Sequence, residues 1–105
     1  MEIIHLCKDF SGLGASQPHT FVNNRASSGP IPIQIATKGD FIGSIILEGT
    51  LSDENEIYDD IVTWSPISGA FWTESTIDAL SIQVTHIRVR ILDYISGSVS
   101  VRLGY

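Results

Sequence analysis

Cysteine and basic residues are scarce in this chain, and each shortage excludes a class of function. The 105 residues include one cysteine, Cys7, so an intramolecular disulfide and a zinc site built from several thiolates are excluded. Because Cys7 lies among Ile3, Ile4 and Leu6, we expect it to be a small buried hydrophobic residue. Six Lys and Arg residues against twelve Asp and Glu give a formal net charge of -6. Nucleic-acid binding needs clustered basic residues, so we expect no nucleic-acid partner and no binding to anionic membranes.

Long apolar runs are missing as well. No run approaches the ~18 apolar residues of a membrane span. The first residues have neither the basic start nor the continuous apolar region of a signal peptide, so we expect a protein made in a cytoplasm and soluble there. Hydrophobic residues make up 43% of the chain, enough for the core of one domain over residues 1–105. Charged residues, at 17%, fall below the usual ~25%. Ser, Thr, Gly and Asn replace them, which suits a β protein with many turns; a surface covered by partners is the alternative.

The clearest pattern lies in residues 85–105, where apolar and polar residues alternate in two runs separated by Ser96-Gly97. Side chains on a strand point to opposite faces with a period of two, so each run predicts a strand with one apolar face. The apolar positions are Ile87, Val89 and Ile91, then Val99, Val101 and Leu103. A glycine between two such runs predicts a hairpin.

Similar runs recur at spacings near ten residues. We predict an edge strand at residues 2–8 and further strands at 31–36, 41–51, 61–64, 70–76 and 79–84, with turns at 38–40 and 65–69. Pro32 cannot donate a ladder hydrogen bond, so its strand should lie at an edge or begin there. The apolar parity changes near Thr85-His86, which predicts a bulge or turn. Seven or eight strands with minimal helix predict an all-β fold, an antiparallel β-sandwich that is jelly-roll-like.

Residues 10–30 are dense in Gly, Ser, Asn and Pro, and we predict a long loop or arm there. Phe21 and Val22 in its middle could enter the core of the domain, form a short strand or dock on a neighbouring chain. The candidate partner-interface residues belong to this arm and to the strand that follows it. They are Phe21, Val22, Asn23, Asn24, Arg25, Ile31 and Ile33.

No constellation in the sequence predicts catalysis, a metal site or a cofactor. The acidic loop at residues 52–60 begins like a calcium loop, but Ile57 and Tyr58 break the pattern, which favours a solvated loop. His5, His19 and His86 are too scattered for a zinc site, and no serine lies in a Gly-x-Ser-x-Gly frame. We therefore expect no enzyme.

Aromatic residues offer one alternative, because exposed rings on β-sandwich modules can stack on sugars. The candidate for ligand stacking is Trp72, although a core position is favoured for it, as it is for Trp64 and Phe71.

Three segments together resemble small β-sandwich structural proteins of tailed bacteriophages. They are residues 45–53 (IILEGTLSD), residues 61–64 (IVTW), and residues 87–91 (IRVRI) followed by 96–103 (SGSVSVRL). The resemblance covers about the last two-thirds of the chain. It implies a virion protein made in the bacterial host cytoplasm, above all a capsid cement or decoration protein that bridges major capsid proteins. Such proteins form homo-oligomers, and we expect a trimer. The alternative is a carbohydrate- or receptor-binding module, or a structural block, of a tail fibre or neck appendage.

Overall fold

A computed structural model describes residues 2–21, 30–51 and 63–104, which form seven strands in one antiparallel sheet. The strands are β1 (Ile3–Phe10), β2 (Gly14–Ala15), β3 (His19–Thr20), β4 (Ile31–Thr50), β5 (Ser65–Trp72), β6 (Thr76–Leu80) and β7 (His86–Gly104). These residues include no helix, and therefore no helix long and apolar enough to cross a membrane. The predicted all-β, antiparallel, sandwich-like fold is confirmed.

Two long strands, β4 and β7, form the scaffold of the sheet. They pair with each other from Ile33 opposite Leu103 to Thr50 opposite His86. A straight strand of the length of β4 would span about 66 Å, whereas the longest dimension of the molecule is 37 Å. The β4–β7 pair therefore has to bend, and its register shifts lie between Lys38 and Ile45.

The bend corrects two predictions. Residues 38–40 are not a turn between strands but a bulged part of β4, in which Gly39 and Asp40 have positive φ angles of 63° and 54°. Ser96-Gly97 is not a hairpin turn but the matching bend in β7, with a φ of 83° at Gly97. A glycine between alternating runs fits a bent strand as well as a hairpin. The bent strand forms here because β4 is long enough to pair by backbone hydrogen bonds with both halves of β7.

The bend divides the sheet into two halves of four strands each. The first sheet half contains β1, residues 98–104 of β7, residues 31–38 of β4, and β6, in that order. The second sheet half contains β2 with β3, residues 86–91 of β7, residues 45–50 of β4, and β5. Pairing of four strands with four is compatible with a jelly roll.

The core lies between the inner faces of the two sheet halves and follows the alternation of the sequence. On β4 and β7 it consists of odd-numbered residues, each at most 3% exposed: Ile31, Ile33, Ile35, Ile45, Leu47, Ile87, Val89, Ile91, Val99, Val101 and Leu103. Cys7 is buried beside them, as predicted. Its burial raises the pKa of the thiol above its ordinary value.

Several predicted strand positions change in the structure. The prediction of an edge strand at β1 is confirmed, but residues 31–36 are flanked by β7 and β6 and are not an edge. Pro32 is tolerated because it is the second residue of β4. The predicted turn at 65–69 is part of β5, which ends at Trp72 instead of residue 76. Residues 81–84, predicted to end a strand, lie outside the strands, although Ile82 is buried. The turn predicted near Thr85-His86 corresponds to the connection at residues 81–85 between β6 and β7.

The predicted arm is partly built into the sheet. Strands β2 and β3 pair with β7, and the backbone N–H of Ser16 donates to the carbonyl of Val89 at 2.8 Å. Phe21 is 4% exposed, and its N–H donates to the carbonyl of Thr85 at 3.0 Å. Of the three alternatives for Phe21, the structure shows that it enters its own core.

Candidate functional site

The predicted partner-interface residues separate into two groups. The side chains of Phe21, Ile31 and Ile33 belong to the core, so they offer no surface to a partner, and the prediction is wrong for them. The physical reason is parity, because the odd positions of β4 face the opposite sheet half. Val22, Asn23, Asn24 and Arg25 lie outside the described residues, as does the acidic loop at 52–60.

Of the two aromatic residues of β5 for which a core position is favoured by the sequence, only Trp72 is buried. Trp72, the candidate for ligand stacking, is 7% exposed, and its Nε1–H donates to Asp78 Oδ2 at 3.3 Å, so most of its ring is buried. Phe71, for which a core position was favoured, is 57% exposed. It lines a shallow depression of about 220 Å³ with Trp72, Thr73, Glu74 and Thr76. Neighbouring residues of a strand face opposite sides, so once Trp72 is inside, Phe71 must be outside.

Glu48, Arg88 and Arg90 form an ion-pair cluster on the outer face of the second sheet half. Glu48 Oε1 accepts hydrogen bonds from the Nε of Arg88 and the Nε of Arg90, each at 2.8 Å. The guanidinium of Arg88 also lies 4.2 Å from the centre of the Trp64 ring, a cation–π contact. Burial raises the pKa of Glu48, whereas the hydrogen bonds from Arg90 and Arg88 and the charges of these arginines lower it. The lowering effects are larger together, so the pKa of Glu48 lies below its ordinary value.

An apolar depression marks the outer face of the first sheet half. It has a volume of about 210 Å³ and is lined by Ile3, Pro32, Ile33, Gln34, Ile77, Arg102, Leu103 and Gly104. Ile3 and Ile77 are 54% and 72% exposed, so two large apolar side chains face the solvent here.

Further large apolar side chains are exposed at and near the bend of the sheet. They are Leu13, Ile42, Leu92 and Ile95. These positions lie away from the apolar depression, so they provide matched substitutions for experiments on it.

The histidines are not gathered into a metal site. Among the described residues, no three His, Cys, Asp or Glu side chains lie close enough to hold a metal ion. His86 is 2% exposed, and its Nδ1 lies 2.9 Å from Thr85 Oγ1. Its Nε2 is buried and makes no hydrogen bond with any of the residues that the structure describes. The ring of His19 contacts Phe21 edge-on, and burial lowers the pKa of His19.

Sequence reasoning missed the Glu48 cluster, although one signal was present. Glu48 interrupts the apolar run Ile45-Ile46-Leu47, and a carboxylate inside such a strand needs a cationic partner. Identifying Arg88 and Arg90 as that partner requires the register of β4 against β7, which the sequence does not supply.

Comparisons with protein families, with curated proteins and with solved structures gave no match.

Proposed function

We propose that this chain is a structural protein of a tailed-phage virion, and more narrowly a capsid cement or decoration protein that binds and stabilises major capsid proteins. The proposal starts from the resemblance of residues 45–53, 61–64, 87–91 and 96–103 to such proteins. The observation that supports it best is the apolar depression of the first sheet half, because a small β domain with exposed Ile3 and Ile77 has a surface suited to another protein.

The size of the molecule fits this role. A standard protein interface takes about 800 Å² from each partner, and the chain has 6070 Å² of accessible surface. One contact therefore leaves room for others, and a cement protein needs at least two in order to bridge neighbouring subunits. Each contact can be modest because many copies act together on one shell.

Binding to mature capsids tests the proposal, with capsids of the encoding phage stripped of this protein. We expect the purified chain to bind them and to raise their resistance to heat. Ile77→Ser should weaken binding, because it removes an apolar side chain from the rim of the depression. Ile95→Ser, at a residue that is 74% exposed near the bend, is the matched control and should bind normally. Absence of capsid binding would refute the cement role, and equal loss in both variants would refute the assignment of this surface.

The same surface bears on the oligomer, for which we propose a trimer. Light scattering on the intact chain measures its mass, and Ile77→Ser separates the two uses of the depression. If Ile77→Ser remains a trimer, the depression is free to bind the capsid. If it dissociates to monomers, the depression forms contacts between copies of this chain.

The second candidate is a carbohydrate-binding module of a tail fibre, and the exposed ring of Phe71 favours it. Phe71 shares its depression with a carboxylate and two hydroxyl groups, from Glu74, Thr73 and Thr76, which are groups that bind sugar hydroxyls. A glycan array tests this candidate. We expect any glycan signal to be lost in Phe71→Ala, and a signal that survives this substitution would exclude the depression as the site.

A further inference from the structure

The arginines of the Glu48 cluster carry more charge than Glu48 balances. Two guanidinium groups against one carboxylate leave a net charge of +1. In the part of the chain that the structure describes, no other carboxylate lies within 4.0 Å of either group. The side chains of Arg88 and Arg90 are only 18% and 33% exposed, so this charge is partly withdrawn from water. A partly desolvated charge is costly unless an ion of opposite sign compensates it.

The cluster also leaves hydrogen-bond donors unused. A guanidinium group has five N–H donors, and each arginine uses only its Nε–H on Glu48 Oε1. The terminal Nη groups donate to no other atom among residues 2–21, 30–51 and 63–104. Because Glu48 already holds both side chains in place, a further ligand would not have to restrict them again. Arg90 is the more open of the two, since the Trp64 ring lies over Arg88.

The residues paired around Arg90 are mostly apolar. Ile46 is paired with Arg90 on one side and with Phe71 on the other, and Ala15 is paired with Arg90 from β2. Directly paired residues share a face, so Phe71, Ile46, Arg90 and Ala15 form one row across the outer face of the sheet. Aromatic and arginine side chains are enriched among the residues that contribute most to protein contacts.

We propose that this row binds an acidic segment of a partner protein, with an Asp or Glu carboxylate on the Nη groups of Arg90 and Arg88. An apolar side chain next to that carboxylate packs on the exposed ring of Phe71. The chain as a whole carries a charge of -6, so long-range attraction does not draw an acidic partner in. Recognition therefore depends on short-range contact with the two guanidinium groups. This inference does not rest on the virion role.

The test observes the side-chain Nε–H signals of Arg88 and Arg90 by NMR while a blocked peptide, Phe-Gly-Glu, is added. We expect the Glu peptide to shift both signals and its Gln counterpart to leave them in place. Arg90→Lys keeps a positive charge beside Glu48 but loses the planar fork, and it should weaken binding about tenfold. Lys38→Arg, at an exposed position in the bend of β4, is the control and should bind as the unaltered chain does.

Three outcomes would overturn the proposal. Equal shifts with the Gln peptide would mean that the carboxylate is not recognised. Equal shifts with sodium acetate at the same concentration would indicate an adventitious ion only. Unchanged affinity in Arg90→Lys, with the fold intact by circular dichroism, would exclude the arginine fork. Phe71→Ser, at an exposed position, provides a second variant that should fold, and it should weaken only the binding of the Glu peptide.

Discussion

Gly97 is the residue on which the bend of β7 depends most directly, and Gly97→Ala tests this. Gly97 has a φ of +83°, a backbone conformation that costs a residue with a Cβ roughly 1–2 kcal/mol. A Cβ at this position would lie 2.5 Å from the Lys38 carbonyl oxygen and from the Phe41 Cα. These are backbone atoms of the opposing bend in β4, so no side-chain rotation can relieve the contact. Overpacking of this kind adds roughly 1–3 kcal/mol.

We therefore expect Gly97→Ala to lower the free energy of unfolding by about 2–5 kcal/mol. Gly12 provides the control, because its φ is +91° but a Cβ there would meet nothing within 4 Å. Gly12→Ala should lose only the conformational part, about 1–2 kcal/mol. Urea unfolding followed by tryptophan fluorescence measures both variants. If their stabilities agree within about 0.5 kcal/mol, the close approach of β4 and β7 at the bend is not what requires glycine at position 97.

Three further predictions concern titratable groups. The pKa of Glu48 is lowered on folding, so its stabilisation is present above the unfolded value of about 4.3 and is lost as the pH falls through the folded value. Glu48→Gln should lower the free energy of unfolding by about 1–3 kcal/mol near neutral pH. Urea unfolding at a series of pH values measures this loss, and a loss that does not shrink below pH ~4 would contradict the prediction. The pKa of His19 is lowered by burial, so the unfolded chain takes up its proton first and stability should fall as the pH drops below about 6.5. His19→Phe, which keeps a ring against Phe21, should reduce that fall in thermal unfolding, and an unchanged pH dependence would exclude His19 as its source. The buried, pKa-raised thiol of Cys7 should react with a thiol reagent at least about a thousandfold more slowly in the native protein than in urea, and similar rates would mean that β1 opens readily.

The residue pattern was sufficient for the class of fold and for most of the core. Alternation of apolar residues along β4 and β7 identified the buried face, and burial of the odd positions follows from the period of two. The single cysteine among apolar neighbours was placed correctly for the same reason. Such features are local, because a strand presents its apolar face whatever strand lies beside it.

The candidate site was beyond the reach of the sequence, because each part of it depends on a long-range pairing. Glu48 meets Arg88 and Arg90 across 40 and 42 residues of chain, and only the register of β4 against β7 brings them together. Phe71 and Trp72 are adjacent aromatic residues with similar preference for burial, so the sequence could not say which faces inward.

The sequence by itself determined that this chain forms an antiparallel β domain with its odd-numbered apolar residues inside. The tertiary structure decided that residues 86–104 are one bent strand instead of a hairpin, that residues 31–36 lie inside the sheet, and that Phe21 belongs to the core. The physical reason is the same in each case. Backbone hydrogen bonds in a sheet are made with distant partners, and the choice of partner depends on the total burial that the whole arrangement achieves.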